Sequence, residues 1–527
     1  MSALVTDQFR ILNASNFIES IDKEFAVYYV WMGLANPEIY TGFARNTQWD
    51  RPGISNGVVP NPIDNLNYLA QYKDTLLFGK RITSSNVRRV IRRIDWSRGT
   101  RYDMYRHDYS VNNLSPVSKR SRLYDSNYYV MNSDYRVYIC IKNGSSGTNP
   151  TGNQSQEEPV STDLEPAQAG TGEDGYLWKY LFTVSPNDII KFDSTEYITL
   201  PNDWYTSQDS QIVAVRNNGN SNTSFNQIKT VYIENPGKGY ISGDVPILGD
   251  GTGATAFIET NNSGEITDVL VTNGGSGYTY GIVDLGSLQP ANSIPFPAKL
   301  IPIIPPSYGH GYDLYKELGA DRIMIYARFD SSTRNFPIDT KFCQVGILKD
   351  PTKFTSQDSF KEDNFSGLYA IKFDDGQSGV NDELPIIGEE ITQVYNNGNV
   401  AVGYVASYDS KTRVLKYFKD RSLFYGPTYD QTDYIGITSS ANSSINFSNT
   451  GGSVIGRESS FSGQISNFSG ITTSVNNEII NLGVVFNNGV ANPQINKKSG
   501  EIIYVDNRPL VTRNIRQKED VKIILEF

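Results

Sequence analysis

Residues 174–182, DGYLWKYLF, set Tyr176, Leu177, Trp178, Tyr180, Leu181 and Phe182 in a run interrupted by one lysine. Such a run gives large apolar groups to both faces of a sheet and predicts an internal strand. FAVYYVWMGL at 25–34 reads the same way and meets a turn signal at Ala35, Asn36 and Pro37. Asn61-Pro62 predicts a helix start, followed by Ile63, Leu66, Leu69, Ala70, Tyr72, Leu76 and Leu77 at near-helical spacing and closed by Gly79. Strands are expected within 124–142, and again at 322–329, 342–348, 368–373, 399–406 and 414–418. A short helix is expected at 313–318, capped by Gly319.

Two stretches break the alternation. Residues 143–174 are dominated by Gly, Ser, Asn, Gln, Pro and Glu, which predicts a long exposed loop, either a disordered connector or a strap ordered by a neighbouring subunit. Residues 438–492 are rich in Ser, Asn and Gly, with irregular β structure expected around apolar islands. Between them lies a repeat: IKTVYIENPGKGY at 228–240 aligns with ITDVLVTNGGSGY at 266–278, an alternating strand followed by a glycine-rich turn in each copy. Gly249, Gly251 and Gly253 precede TAFIET rather than a helical pattern, so turn geometry explains them better than a phosphate loop.

The chain has 527 residues, enough for three or four domains, and a net charge of −10. That balance disfavours an extended nucleic-acid track. The one basic cluster, Lys80, Arg81, Arg88, Arg89, Arg92, Arg93, Arg98 and Arg101, reads as a solvated or partner-facing edge. Thirty-four tyrosines suit sheet surfaces and contact faces. Cys140 and Cys343 lie far apart between apolar neighbours, the pattern of buried free thiols from a reducing compartment. No apolar run reaches membrane-spanning length and the first residues lack a secretory pattern, so synthesis in a cytoplasm without membrane insertion is expected.

Catalytic chemistry is sparse. Imidazole is confined to His107 and His310, and no Gly-x-Ser-x-Gly elbow accompanies them. Both are expected to be structural, His310 as a turn residue bonded to backbone. The acidic pairs Glu157-Glu158, Asp374-Asp375, Asp382-Glu383 and Glu389-Glu390 read as solvated surface. No calcium-loop pattern occurs, and no metal, cofactor or catalytic residue is assigned.

Four strings occur in order: TDQFRILNASNFIESI near the start, RRIDWSRGTRYDMY at 92–105, DGYLWKYLF at 174–182, and SGEIIYVDNRPLVTRNIRQKEDVKIILEF at 499–527. Together they resemble the gene-8 baseplate wedge protein of T-even-like contractile-tailed bacteriophages, over roughly the first 200 and last 30 residues. Residues 210–495 depart from that family's shorter pattern. The residues carrying the resemblance are Asp95, Trp96, Arg101, Tyr102, Asp174, Gly175, Tyr176, Trp178, Glu501, Tyr504, Asn507, Arg508 and Pro509. From chemistry, Asp95 is expected to accept backbone amides or pair with Arg101, Trp96 to anchor a core, and Arg508 to bond a carboxylate of its own domain or a partner.

The resemblance implies a structural virion protein of the tail baseplate rather than an enzyme: a homodimer that binds other wedge proteins, holds the baseplate and permits its rearrangement on infection. The expected fold is mainly β with a few helices (α+β), multidomain, with β-sandwich or barrel-like modules inserted in a discontinuous frame. The frame is 1–96 plus 495–527, followed by a β-rich domain at 97–210, the repeat module at 211–295 and a barrel or sandwich-like region at 296–494. The competing reading is a glycan-binding or glycan-cleaving tail adhesin, which needs paired carboxylates across a cleft.

Overall fold

The computed structural model describes residues 6–33, 62, 69, 72, 73, 76–218, 225–289, 296–330, 341–374, 383–387, 389–419, 446–512 and 517–527. The protein is mainly β with a few helices, arranged as several antiparallel sheets. Its contacts divide the chain into two discontinuous units, one of 1–16, 88–324 and 523–527, the other of 17–87 and 325–522.

The first unit is organised by a four-stranded sheet in the order Tyr129–Met131, Arg136–Asn143, Tyr176–Thr183, Ala167–Gln168. The Tyr176–Thr183 strand is buried along nearly its whole length, as the unbroken aromatic run requires. Cys140 stands opposite Trp178, and Ala167 flanks Trp178 from the other side.

The repeat forms its own sheets and core in this unit. The strand Thr252–Thr260 pairs with Ile266–Ser276, and Lys299–Pro302 pairs with Val231–Asn235. The two copies bond each other reciprocally. Ile228 N donates to Gly274 O at 3.0 Å, and Ile266 N, the matching residue, donates to Pro236 O at 3.1 Å. Gly239 N donates to Ser263 O and Gly277 N to Phe225 O, again a matched exchange. Both turns are built alike: Asn235 Oδ1 accepts from Gly237 N, and Asn273 Oδ1 from Gly275 N. Gly237 and Gly275 share a φ of 61°, the left-handed region where a side chain is strained, so the repeat keeps glycine at both places. Tyr240 and Tyr278, the closing residues, are buried with their hydroxyls accepting from Ala298 N and Ala254 N. The module is thus pseudo-twofold, with each copy satisfying backbone groups of the other.

The second unit holds a five-stranded sheet in the order Asn364–Ser366, Leu76–Ile82, Tyr28–Gly33, Lys341–Lys349, Glu501–Thr512. Amino-terminal and carboxyl-terminal strands therefore share one sheet, joined by Lys341–Lys349. A seven-stranded sheet runs in the order Ser462–Gly463, Val454–Gly456, Glu390–Val394, Val400–Asp409, Val414–Lys419, Tyr369–Lys372, Val490–Ala491. Its inner face packs Ile371, Phe373, Ile391, Val405, Leu415 and Tyr417.

Three expectations are corrected. Leu76 and Leu77 do not end a helix but open the strand Leu76–Ile82, because Leu76, Leu77 and Phe78 are buried consecutively, which a sheet with two covered faces allows and one helix face does not. Residues 69, 72 and 73 are helical; most of the remaining expected helix lies outside the described residues. A long helix occurs instead at Asp7–Asp22, burying Ile11, Ala14, Ile18 and Ile21 at spacings of three and four. Finally, 143–174 is laid against its own unit: Ser155 is fully buried and bonds Thr100 O, while Asn153 N bonds Asn143 O.

Candidate functional site

The turn before the Tyr176–Thr183 strand sets the geometry of the residues carrying the resemblance. Asp174, nearly buried, accepts from Tyr176 N at 3.0 Å through one carboxylate oxygen and from Gln156 N at 2.9 Å through the other. Gly175 has a φ of 75°, and a Cβ there would stand 3.1 Å from Gly144 Cα. The chain then delivers Tyr176 and Trp178 to the same face, stacked with centroids 5.3 Å apart.

Tyr102 closes this cluster. Its ring meets Trp178 edge-on at 5.7 Å and Tyr176 at 6.4 Å, and all three side chains are 2% exposed or less. The Tyr176 hydroxyl accepts from Tyr102 N at 3.0 Å and donates to Asn153 O at 2.9 Å. The Tyr102 hydroxyl accepts from Ser97 N at 2.7 Å, and Asn143 Nδ2 donates to Tyr102 O at 2.9 Å. Trp96 donates its indole N–H to Ser155 Oγ at 3.0 Å. Burial pushes the Tyr176 phenol far up, so it stays protonated and works as a hydrogen-bonding strut.

Asp95 does not pair with Arg101. Its carboxylate is gripped by Arg93 at 2.9 and 3.0 Å, while Arg101 Nε donates to Gly152 O at 3.2 Å. The alternation of the strand end explains this, since Arg93 and Asp95 lie two residues apart on one side. Much of the basic cluster is likewise used internally: Arg88 pairs with Asp188 at 2.8 Å, Arg89 lies 4.0 Å over the Tyr315 ring, and Arg92 bonds carbonyls of Asp125 and Ser126.

The 499–527 string includes the Glu501–Thr512 strand at the edge of the five-stranded sheet. Glu501 stands opposite Lys349, Tyr504 opposite Ile347 and Asn507 opposite Gln344, whose amide donates to Asn507 Oδ1 at 2.7 Å. Arg508 bonds Asp506 at 2.7 Å, a carboxylate of its own unit. Pro509 sits where the ladder slips between Phe342 and Gln344, a place that tolerates a missing N–H. The 92–105 and 174–182 strings therefore meet in one core of the first unit, whereas these residues belong to the second.

The chain matches no protein-family model and no curated protein.

Among the described residues, no group of three His, Cys, Asp or Glu side chains could hold a metal ion, and no helix is long and apolar enough to cross a membrane. His107 accepts from Ile304 N at its Nδ1 at 3.2 Å, and burial lowers its pKa. His310 is not simply a backbone-bonded turn residue. Its Nδ1 lies 2.6 Å from Glu317 Oε1, both residues are buried, and Glu317 Oε2 accepts from Gly311 N at 2.6 Å. Glu389 departs from the surface reading as well: it is 1% exposed and accepts from Ile386 N, Glu458 N, Ser459 N and Ser459 Oγ. Both carboxylates fasten loops. A sign in the sequence existed for Glu389 in its neighbouring turn residues, but partners 70 positions away leave no local trace.

Proposed function

We propose that this chain is a structural virion protein, a wedge subunit of a contractile phage-tail baseplate that acts by binding its neighbours. The observation that carries this reading is the convergence of the 92–105 and 174–182 strings on one closed aromatic core. Tyr102, Tyr176 and Trp178 are buried, the two phenols are held by backbone groups, and each carboxylate oxygen of Asp174 accepts from a backbone amide. Residues that carry the resemblance are thus spent on rigidity, which suits a part that transmits force as a body. The reading assigns homodimerisation and contact with other wedge proteins, a place in the tail, and binding rather than turnover.

The test is assembly. Native mass spectrometry of the purified chain, alone and mixed with the other wedge components of the same phage, should give a dimer that enters a larger complex. A chain that stays monomeric in that mixture while hydrolysing a host polysaccharide would overturn the reading in favour of a glycan-cleaving adhesin.

A further inference from the structure

The first unit contains a cavity of about 540 Å³ whose wall is unusually rich in guanidinium groups. Arg10 comes from the amino-terminal helix, Arg92 from the strand Val87–Arg92, Arg120 and Arg122 from the loop before Tyr124, and Arg322 from the strand Arg322–Phe329. The wall carries five guanidinium groups and four carboxylates, Asp125, Glu196, Asp321 and Glu526, and Asp7 behind it pairs with Arg122, in a chain whose net charge is −10. Five guanidinium groups gathered in one concave wall of an acidic protein need a physical reason, because like charges brought together repel one another.

Most of the acids are already engaged. Glu526 is approached by Arg322 at 2.9 Å and Arg10 at 3.8 Å, Asp321 by Arg322 at 3.3 Å, and Asp125 by Arg122 at 3.7 Å. Arg92 directs its guanidinium to the carbonyls of Asp125 and Ser126 and to the Asn127 amide oxygen. What remains is donor capacity. Arg10 Nε is buried with no hydrogen-bond partner among the described residues. The exposed Arg120 side chain makes no hydrogen bond or ion pair among them, and Arg122, although paired with Asp7 of the amino-terminal helix, keeps 42% of its side chain open. Burial also raises the Asp321 carboxyl above its usual range, which weakens the negative side of the balance.

We propose that this cavity binds a small multivalent phosphate oxyanion, a di- or triphosphate group, held chiefly by Arg120, Arg122 and Arg10. Guanidinium forks arriving from separate elements match several oxygens at once, and the volume falls within the roughly 300–1,000 Å³ range of small-ligand sites. The phosphate has two sources, free pyrophosphate and a nucleotide, which share this chemistry.

Isothermal titration of the full chain with pyrophosphate and, separately, with ADP tests it, against sodium chloride at matched ionic strength. Saturable one-site binding of pyrophosphate is expected, weakened at least about tenfold by Arg120→Glu and tightened by Glu196→Gln. Both side chains are exposed, so the variants should keep the unliganded unfolding temperature. Equal affinities for the two ligands assign the site to phosphate alone, and tighter ADP binding assigns it to a nucleotide; either keeps the proposal. Heats no larger than those of sodium chloride, or binding indifferent to both substitutions, would overturn it.

Discussion

Lys179 stands between Trp178 and Tyr180 in the most buried strand of the first unit and is 1% exposed. Its ammonium donates to Leu164 O at 2.5 Å and Asn218 Oδ1 at 3.0 Å, pinning the 143–174 segment to the sheet. Burial is the larger influence and pulls its pKa from 10.5 down to about 8, against the opposing pull of Glu165. Below about pH 8 the lysine is charged whether folded or unfolded, and the fold bears the full cost of burying it. Between about 8 and 10.5 the folded lysine is neutral while the unfolded one keeps its proton, so stability rises by about 1.4 kcal/mol per pH unit. Integrated from about pH 7 to about 9.5, the gain is about 2 kcal/mol.

Replacing Lys179 by Met removes the titrating group and keeps most of the volume. Urea unfolding followed by tryptophan fluorescence, on both proteins across that range, isolates the contribution, because every other alkaline group is common to the pair. The native protein should gain about 2 kcal/mol on the Lys179→Met variant as pH rises. A difference that stays flat with pH would refute the reasoning, whatever its absolute size.

Tyr278→Phe should cost about 2–4 kcal/mol, since it leaves the buried Ala254 N without its acceptor and also deletes the bond to Ile247 O; Tyr240→Phe, which loses the single bond from Ala298 N, should cost about half as much by the same unfolding assay. Trp178→Ala should cost about 3–5 kcal/mol by cavity formation beneath Tyr102 and Tyr176, read as a lowered denaturation midpoint. Cys140 and Cys343 are both buried, and burial raises the Cys140 thiol well above its usual range, so a disulfide-exchange reagent should label neither in the native state and both in denaturant.

Strands were legible wherever β-branched and aromatic residues ran together. The expected 322–329 is the strand Arg322–Phe329, and 414–418 is Val414–Lys419. The Asp7–Asp22 helix was hidden because its four buried residues, two of them separated by polar neighbours on every side, give a weak stripe. Conversely, Leu76 and Leu77 fit a helical spacing by accident, and only the adjacent Phe78 betrays a strand. At the aromatic core, the individual strings could be read, but not the bond from Tyr102 N to the Tyr176 hydroxyl, which joins positions 74 apart. Asp95 was matched to the wrong arginine for the opposite reason: a nearer partner, Arg93, lies two residues away. The Lys179, His310 and Glu317 contacts depend on folded neighbours and carry no local signature.

The matched exchange between the two copies around Ile228 and Ile266 restricts how this module can change in evolution. Losing one copy would strip the survivor of the carbonyls its amides need, and a lone third copy added in tandem would have no mate to trade with. Growth or shrinkage must therefore proceed by pairs, so homologous modules should carry these units in even numbers.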